Sequence, residues 1–473
     1  MIFIIAALFY FIGYEVLVTI LRRSPENRWF ALSLAPVFSY FCFYLLIFVF
    51  VLFGQKISPF TFQIFLGSLA FIFLGLNRNQ IKTDILDFKS SFLKEKQSRV
   101  LLLFLVLTFL GLGVSALSKE IWPGDGMGIW ASRALEWYHH QGFQFTEFTL
   151  GRLDYWLGYP IFHSLNMWIV GAIVPGPFSI SCNSFDFIPF LSMAFLAIGL
   201  FRELKFNFKH SIILGLFLGF APRAVLNMIG SGYADPLQGW MIASIYTFLI
   251  VWMIRPSNEL KLYLGGATFY CPMVKNEGFF RAIFFYVSSF SFTKSLKKTL
   301  KFTWPYLLIA ALSLILVKVF NPAPKNFVPY LNEMNLEKAI KRIPLIIEAI
   351  GITFFDLKHG VKAFWLPNLL LFVLIPFTPL FKKSFRSLYI YTCCVFAINF
   401  AFNIAPLILT SLEGDVFNNP QSIAMGIFSR LFYQTSYPLS FINLYFMFKL
   451  SKYSSYQSKD CLSAKSFKSL HET

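Results

Sequence analysis

The sequence predicts an all-α fold, a polytopic transmembrane helical bundle of about 12–14 spans with an interfacial helix in its first large outer loop. Three observations predict it. Hydrophobic residues make up 57% of the 473 residues and charged residues only 14%, with 61 Phe among them. Soluble chains carry about 25% charge, and a water-soluble fold of this length has no way to bury so much apolar surface. Second, apolar runs about as long as a bilayer is thick recur along the chain. Third, the segments between them are strongly basic. These features exclude a soluble enzyme, a disordered protein and a disulfide-stapled secreted domain.

The elements follow in order. Residues 1–21 are apolar and are followed directly by Arg22 and Arg23. A cleaved signal peptide carries its positive charge before the apolar run and a small-residue cleavage site after it. This stretch has neither, so it reads as a retained first span. Further apolar runs occupy about 31–53, 60–76, 100–118, 161–176, 185–201, 211–229, 237–254, 262–290, 303–320, 363–381, 387–410 and 436–449. No repeat of 20–50 residues stands out. Six cysteines lie scattered, at 42, 182, 271, 393, 394 and 461, without metal spacing. They read as small core hydrophobes.

The net charge of +18 comes from 41 basic and 23 acidic residues. No compact basic domain with interleaved aromatics is present, so nucleic acid is not an expected partner. The excess orients the spans instead, because Lys and Arg collect on the cytoplasmic side. Segments 22–28, 78–99, 202–209, 255–261, 291–301, 382–386 and 449–473 hold 26 of the 41 basic residues and 8 of the 23 acids. Placing them inside leaves 119–160, 321–362 and 411–435 outside. Four regions result: N-terminal spans with a basic cytoplasmic loop (1–99), a membrane core bearing the first outer loop (100–302), C-terminal spans with two outer loops (303–450), and a cytoplasmic tail (451–473). The expected location is the cell (inner or plasma) membrane, crossed many times. A parity problem accompanies this scheme. Three apolar runs separate Pro160 from Ser231–Pro236, where outer placement of both requires an even number of crossings. One run must be re-entrant, lie on the surface, or be split.

The first outer loop reads PGDGMGIWASRALEWYHHQGFQFTEFTLGRLDYWLGYP over residues 123–160. Trp130, Arg133, Ala134 and Trp137 recur at helical spacing, and Gln141-Gly142 marks the end of that helix. Asp125 stands at its start, equally an N-cap or a general base at the mouth of an interfacial cavity. Asp154 precedes the next span and reads as a solvated acid or a site carboxylate. Asp235, in Ser231-Gly232-Tyr233-Ala234-Asp235-Pro236, has the chemistry of an ordinary helix start. Lys275-Asn276-Glu277-Gly278 falls inside the apolar stretch 262–290, where ionisable residues usually face a cavity and pair. Lys275 and Glu277 form the expected local pair, and Pro272 with Gly278 predicts a broken helix. Arg430, before the last span, is either a snorkelling anchor or a phosphate clamp. The charge pattern puts all of these near the outer face. Leu331–Glu348, in the second outer loop, reads as a helix of mixed charge that either covers the cavity as a lid or merely connects.

With these residues in place, the chain resembles the glycosyltransferase C superfamily. It is most similar to bacterial polytopic proteins related to protein mannosyltransferases and lipid A aminoarabinose transferase. The resemblance rests on four pieces in order: Asp125 with the helix Trp130 to Tyr138, Asp154-Tyr155 through Tyr159-Pro160, the segment Ser231 to Pro236, and Lys275 to Gly278. It covers roughly 100–290. Many members have an acidic pair where Asp125 is flanked by Gly124 and Gly126, and a single span where this chain has three before the loop-bearing one. The resemblance implies a polyprenyl-phosphate-linked sugar as donor, a glycan, lipid or protein acceptor, and inversion in a single displacement. Asp125 and Asp154 are then the catalytic candidates. Asp235, Lys275, Glu277 and Arg430 are the substrate- and phosphate-binding candidates. Positive charge for the leaving phosphate comes from Lys275, Arg430 or a divalent cation, although no metal-ligand spacing is visible and no metal site is assigned. Other classes fit the same spans: a transporter or flippase for a lipid-linked anion, a non-catalytic membrane protein of the same fold, or a lipid-linked oligosaccharide polymerase or ligase.

Overall fold

The computed structural model describes residues 1–92, 96–117, 130–142, 160, 162–220, 234–275, 277–320, 336–355, 362–378, 381, 383–409, 419–424 and 436–450. The described residues form helices and connecting turns without strands. Six of the helices are long and apolar enough to cross a bilayer: Ile2–Leu21, Arg28–Leu52, Pro59–Leu76, Asp235–Ile254, Leu296–Val317 and Phe385–Phe402. Large apolar side chains such as Phe71, Phe104, Trp304 and Ile315 point outward over half or more of their surface. An outside this apolar suits lipid and not water. The chain is a polytopic α-helical membrane protein.

Helix α1 (Ile2–Leu21) runs toward a basic end and stops at Arg22, in the left-handed conformation (φ 54°). Helix α2 (Arg28–Leu52) returns from that end, capped by Asn27, whose side chain accepts from the amides of Trp29 and Phe30. Helix α3 (Pro59–Leu76), capped by Ser58 with Pro59 in its first turn, comes back. Asn77 after it donates to the Glu15 carboxylate at 2.7 Å, near the end of α1. Helix α4 (Arg78–Phe92) stays at the basic end, where Asp84 takes an ion pair from Arg28 (2.8 Å) and hydrogen bonds from Ser24 and Tyr14. Helix α5 (Lys96–Leu117) follows.

At the opposite end lies α6 (Ser132–His140), the short helix that the spacing of Trp130, Ala134 and Trp137 predicts. Its following residue, Gln141, accepts a backbone hydrogen bond from Ile57 in the α2–α3 turn (2.7 Å). Helix α7 (Phe162–Ile173) is 12 residues long and buried throughout. That is about 18 Å, short of the roughly 30 Å hydrocarbon core. Its partners all lie toward one end: Phe62 and Gln63 early in α3, Tyr44 in the last third of α2, and Trp137 of α6. So α7 lies across this end of the bundle instead of along it. The chain then descends. Phe185 packs on Phe9, and Ser192 meets Tyr10, halfway along α1. Helix α8 (Ile188–Glu203) therefore starts near mid-depth and reaches the basic end, where Glu203 accepts from Asn27. Helix α9 (Phe208–Phe220) returns from it. Of the three apolar runs between 160 and 231, the first is a helix too short to cross; the third continues past α9 into residues 221–229, outside the described residues, so the count of crossings there stays as the sequence left it.

Helix α10 (Asp235–Ile254) is the centre of the molecule, buried at every residue from Asp235 to Val251. The three residues Arg255-Pro256-Ser257 join it to α11 (Asn258–Val274), whose N-terminus Ser257 caps. The backbone is extended at Lys275, and α12 (Glu277–Ser288) turns back. Thr268 and Tyr286 hydrogen-bond across the two arms. The apolar stretch 262–290 is thus broken, as Pro272 and Gly278 predict, into an antiparallel hairpin with Lys275 at its tip. A Cβ at Gly278 would overlap the Cys271 carbonyl and lie 2.9 Å from Gln238 Nε2, so the tip closes only around glycine.

Helix α13 (Leu296–Phe320) runs beside α11, its Ser313 hydroxyl donating to the Phe269 carbonyl. After α14 (Leu336–Phe355) come α15 (Lys362–Leu374), α16 (Lys383–Leu409) and a last helix, α17 (436–450). The start of α16 is at the basic end, since Phe385 packs on Tyr445 and Phe448 of α17 stacks on Phe206. Hydroxyls bind the late helices to α10: Tyr246 to Thr392 at 2.8 Å, Thr247 to Tyr437 at 3.2 Å. Lipid gives no hydrophobic drive for helices to associate, so close packing and such bonds hold the bundle.

Candidate functional site

The α10–α11 connection is so short that the first residue of α10 and the last of α11 must meet. Asp235 and Lys275 do, with Nζ 2.6 Å from Oδ1 and both side chains buried (1% and 9% exposed). The distance is that of a charge-assisted hydrogen bond. Each partner sits where a helix dipole favours it: the carboxylate in the first turn of α10, the ammonium just past the C-terminus of α11. Glu277 is 4.0 Å from Lys275 and about one-third exposed. The local pair expected from the sequence is therefore the weaker one, because residues two apart do not face each other and the hairpin offers Lys275 a nearer acid.

Two more groups belong here that the sequence reading passed over. Arg281 is fully buried and lies one turn beyond Glu277 on α12. Gln238, one turn beyond Asp235, donates to Cys271 Sγ. The formal charges of Asp235, Glu277, Lys275 and Arg281 cancel, which is how ionised groups persist away from water. Arg281 was visible in principle as a second cation, after Lys275, inside the apolar run 262–290.

Beside Asp235 a small cavity lies between α7, the turn before α8 and the first turn of α10. Tyr40, His163, Asn166, Asp186, Pro236 and Leu237 line it, and its volume of about 20 Å³ holds roughly one water. Asn166 accepts from Tyr44 and donates to Tyr270 at 2.6 Å, joining α7 to α2 and α11. On α6, Arg133 is buried, and burial draws its guanidinium down to about 10 because the charged form loses its hydration. It remains protonated at neutral pH. Trp130, just before α6, packs edge-on against His163, which lines the cavity.

The structure brings together Asp235, Lys275 and Glu277. Asp125, Asp154 and Arg430 lie outside the described residues. Among the described residues no cluster of three His, Cys, Asp or Glu stands ready for a metal. Fold and site define a class, a many-helix membrane protein with a buried, charge-neutral cluster at one end. No family model, curated protein or solved structure matches the chain.

Proposed function

We propose that the chain is a membrane glycosyltransferase. It moves a sugar, with inversion, from a polyprenyl-phosphate donor to an acceptor at the outer face of the cell membrane. The observation that supports this reading most is the Asp235–Lys275 pair at the hairpin tip, at the end of the bundle that the positive-inside rule assigns to the exterior. Buried intramembrane charge marks sites of function, and an ammonium there suits a lipid-borne phosphate.

In the proposed reaction the acceptor hydroxyl oxygen attacks the anomeric carbon from the face opposite the phosphate. Its proton passes to Asp125. The carbon–oxygen bond to phosphate breaks, and its electron pair leaves on the phosphate oxygen. Lys275 takes up that charge by loosening its contact with Asp235, while Glu277 keeps the ammonium oriented.

The test uses purified protein in liposomes with a polyprenyl-phosphate sugar. Asp125→Asn abolishes transfer while membrane insertion is unchanged. Lys275→Met lowers transfer about 100-fold, the usual loss when a charge-stabilising donor is removed. Unchanged transfer in Asp125→Asn removes the base assignment. Movement of the lipid across the bilayer with no covalent product would replace the enzyme with a carrier.

A further inference from the structure

Helix α14 carries three kinds of surface around its axis. At 3.6 residues per turn, Ile346, Ala349 and Thr353 share one side and are buried, where α14 packs on α15 and α16. Glu337, Lys341 and Glu348 share a second side and are exposed, Glu337 and Lys341 paired at 2.7 Å. Ile340, Ile343 and Ile347 fill a third sector, and they too are exposed, by 60%, 40% and 62%. A helix in water does not leave a row of isoleucines bare beside its charges. A helix spanning lipid does not carry a charged edge along its first turns.

Chain connectivity gives the same answer. Helix α13 ends at the Lys275 end, since Ser313 already bonds Phe269. Helix α15 finishes toward the basic end, where Phe372 stacks on Tyr389, in the second turn of α16. A 20-residue helix is about 30 Å long. Were α14 to stand along the bundle axis, residues 356–361, Asp-Leu-Lys-His-Gly-Val, would have to return through hydrocarbon nearly fully extended. A segment carrying Asp356, Lys358 and His359 is costly there.

We propose that α14 lies in the plane of the membrane, at the boundary of headgroups and acyl chains on the Lys275 side. Its isoleucine row dips into the acyl chains, and its Glu337–Lys341–Glu348 edge faces water. The occupant of the bare face is lipid. Leu308 and Leu312 of α13 and Leu370 and Val373 of α15, the latter packed beside α14, are likewise turned outward, and amphipathic helices with one charged and one apolar flank take this position. The inference rests on the membrane fold and not on sugar transfer.

Nitroxide labels on single cysteines, placed in a cysteine-free chain in phosphatidylcholine–phosphatidylglycerol vesicles, test it. At Ile343→Cys and Ile347→Cys, collision with oxygen exceeds collision with a water-soluble nickel chelate. At Lys341→Cys and Glu348→Cys the order reverses. The depth at 347 is shallower than at Leu308→Cys, the mid-span reference. Equal nickel access at 347 and 348 would put the helix in water, and equal depth at 347 and 308 would make it a span; either overturns the proposal. If removing the native cysteines unfolds the chain, Ile347→Trp in the unaltered background, with lipids brominated at the carbonyl end or the tail end, reads the same depth. Added quenching is expected at the carbonyl end, and none at either position refutes the placement.

Discussion

Lys275 has two carboxylates within reach and takes the one 40 residues away. Its neighbour two positions on was the partner legible in the sequence. The nearer one was not, because the choice depends on how closely α10 and α11 end together, a property of a three-residue connection and two helix lengths. The pair also sets an energetic asymmetry. Removing one member of a buried pair strands a charge and costs about 3–5 kcal/mol, whereas replacing both costs far less. Lys275→Met should therefore lower the unfolding midpoint of the micellar protein more than Asp235→Asn with Lys275→Met together. A double variant as unstable as the single one would mean that Asp235 is held by other donors. Arg281, by contrast, was readable from hydrophobicity alone, as the second cation of the 262–290 run.

At the scale of the element, α7 is the instructive case. Its composition is that of a span, and only its length and partners show that it lies across the bundle's end. Asn166 fixes it there by serving Tyr44 and Tyr270 at once. Asn166→Val leaves the buried Tyr44 and Tyr270 hydroxyls only their mutual contact at 3.3 Å, a loss of about 1–3 kcal/mol. Because α7 roofs the cavity beside Asp235, this variant should lose thermal stability and also expose Cys182, which lines the same cavity, to maleimide. Lost stability with Cys182 still protected would confine Asn166 to the α2–α11 contact. The break at Lys275, by contrast, was legible, since Pro272 and Gly278 announce it and the charges could not sit in a continuous buried helix. That the two arms fold back on each other was hidden, because apolar sequence reads the same in either direction of travel.

For the whole molecule, composition was enough to give the fold class, and the charge pattern agrees with which ends meet. Every basic segment whose contacts are described gathers at the end marked by Arg28, Asp84 and Glu203. Asp125 and Asp154 of the first outer loop were read from their positions in that loop and lie outside the described residues; of the candidates, the geometry brings together only Asp235, Lys275 and Glu277. The orientation has its own test. In intact cells an impermeant maleimide should label Gln141→Cys, and should label Lys298→Cys only after permeabilisation. The reverse pattern would put the ion pair on the cytoplasmic side.

The enclosure of α10 carries a consequence for biogenesis. It leaves the ribosome midway through synthesis, yet Thr392 and Tyr437, which meet its hydroxyls, follow 146 and 190 residues later. Until they arrive, the Tyr246 and Thr247 hydroxyls lack these partners. A chain halted before residue 383 would therefore insert, but it would keep an unfinished flank, the surface a quality-control protease recognises. Closure of this bundle belongs to its last helices.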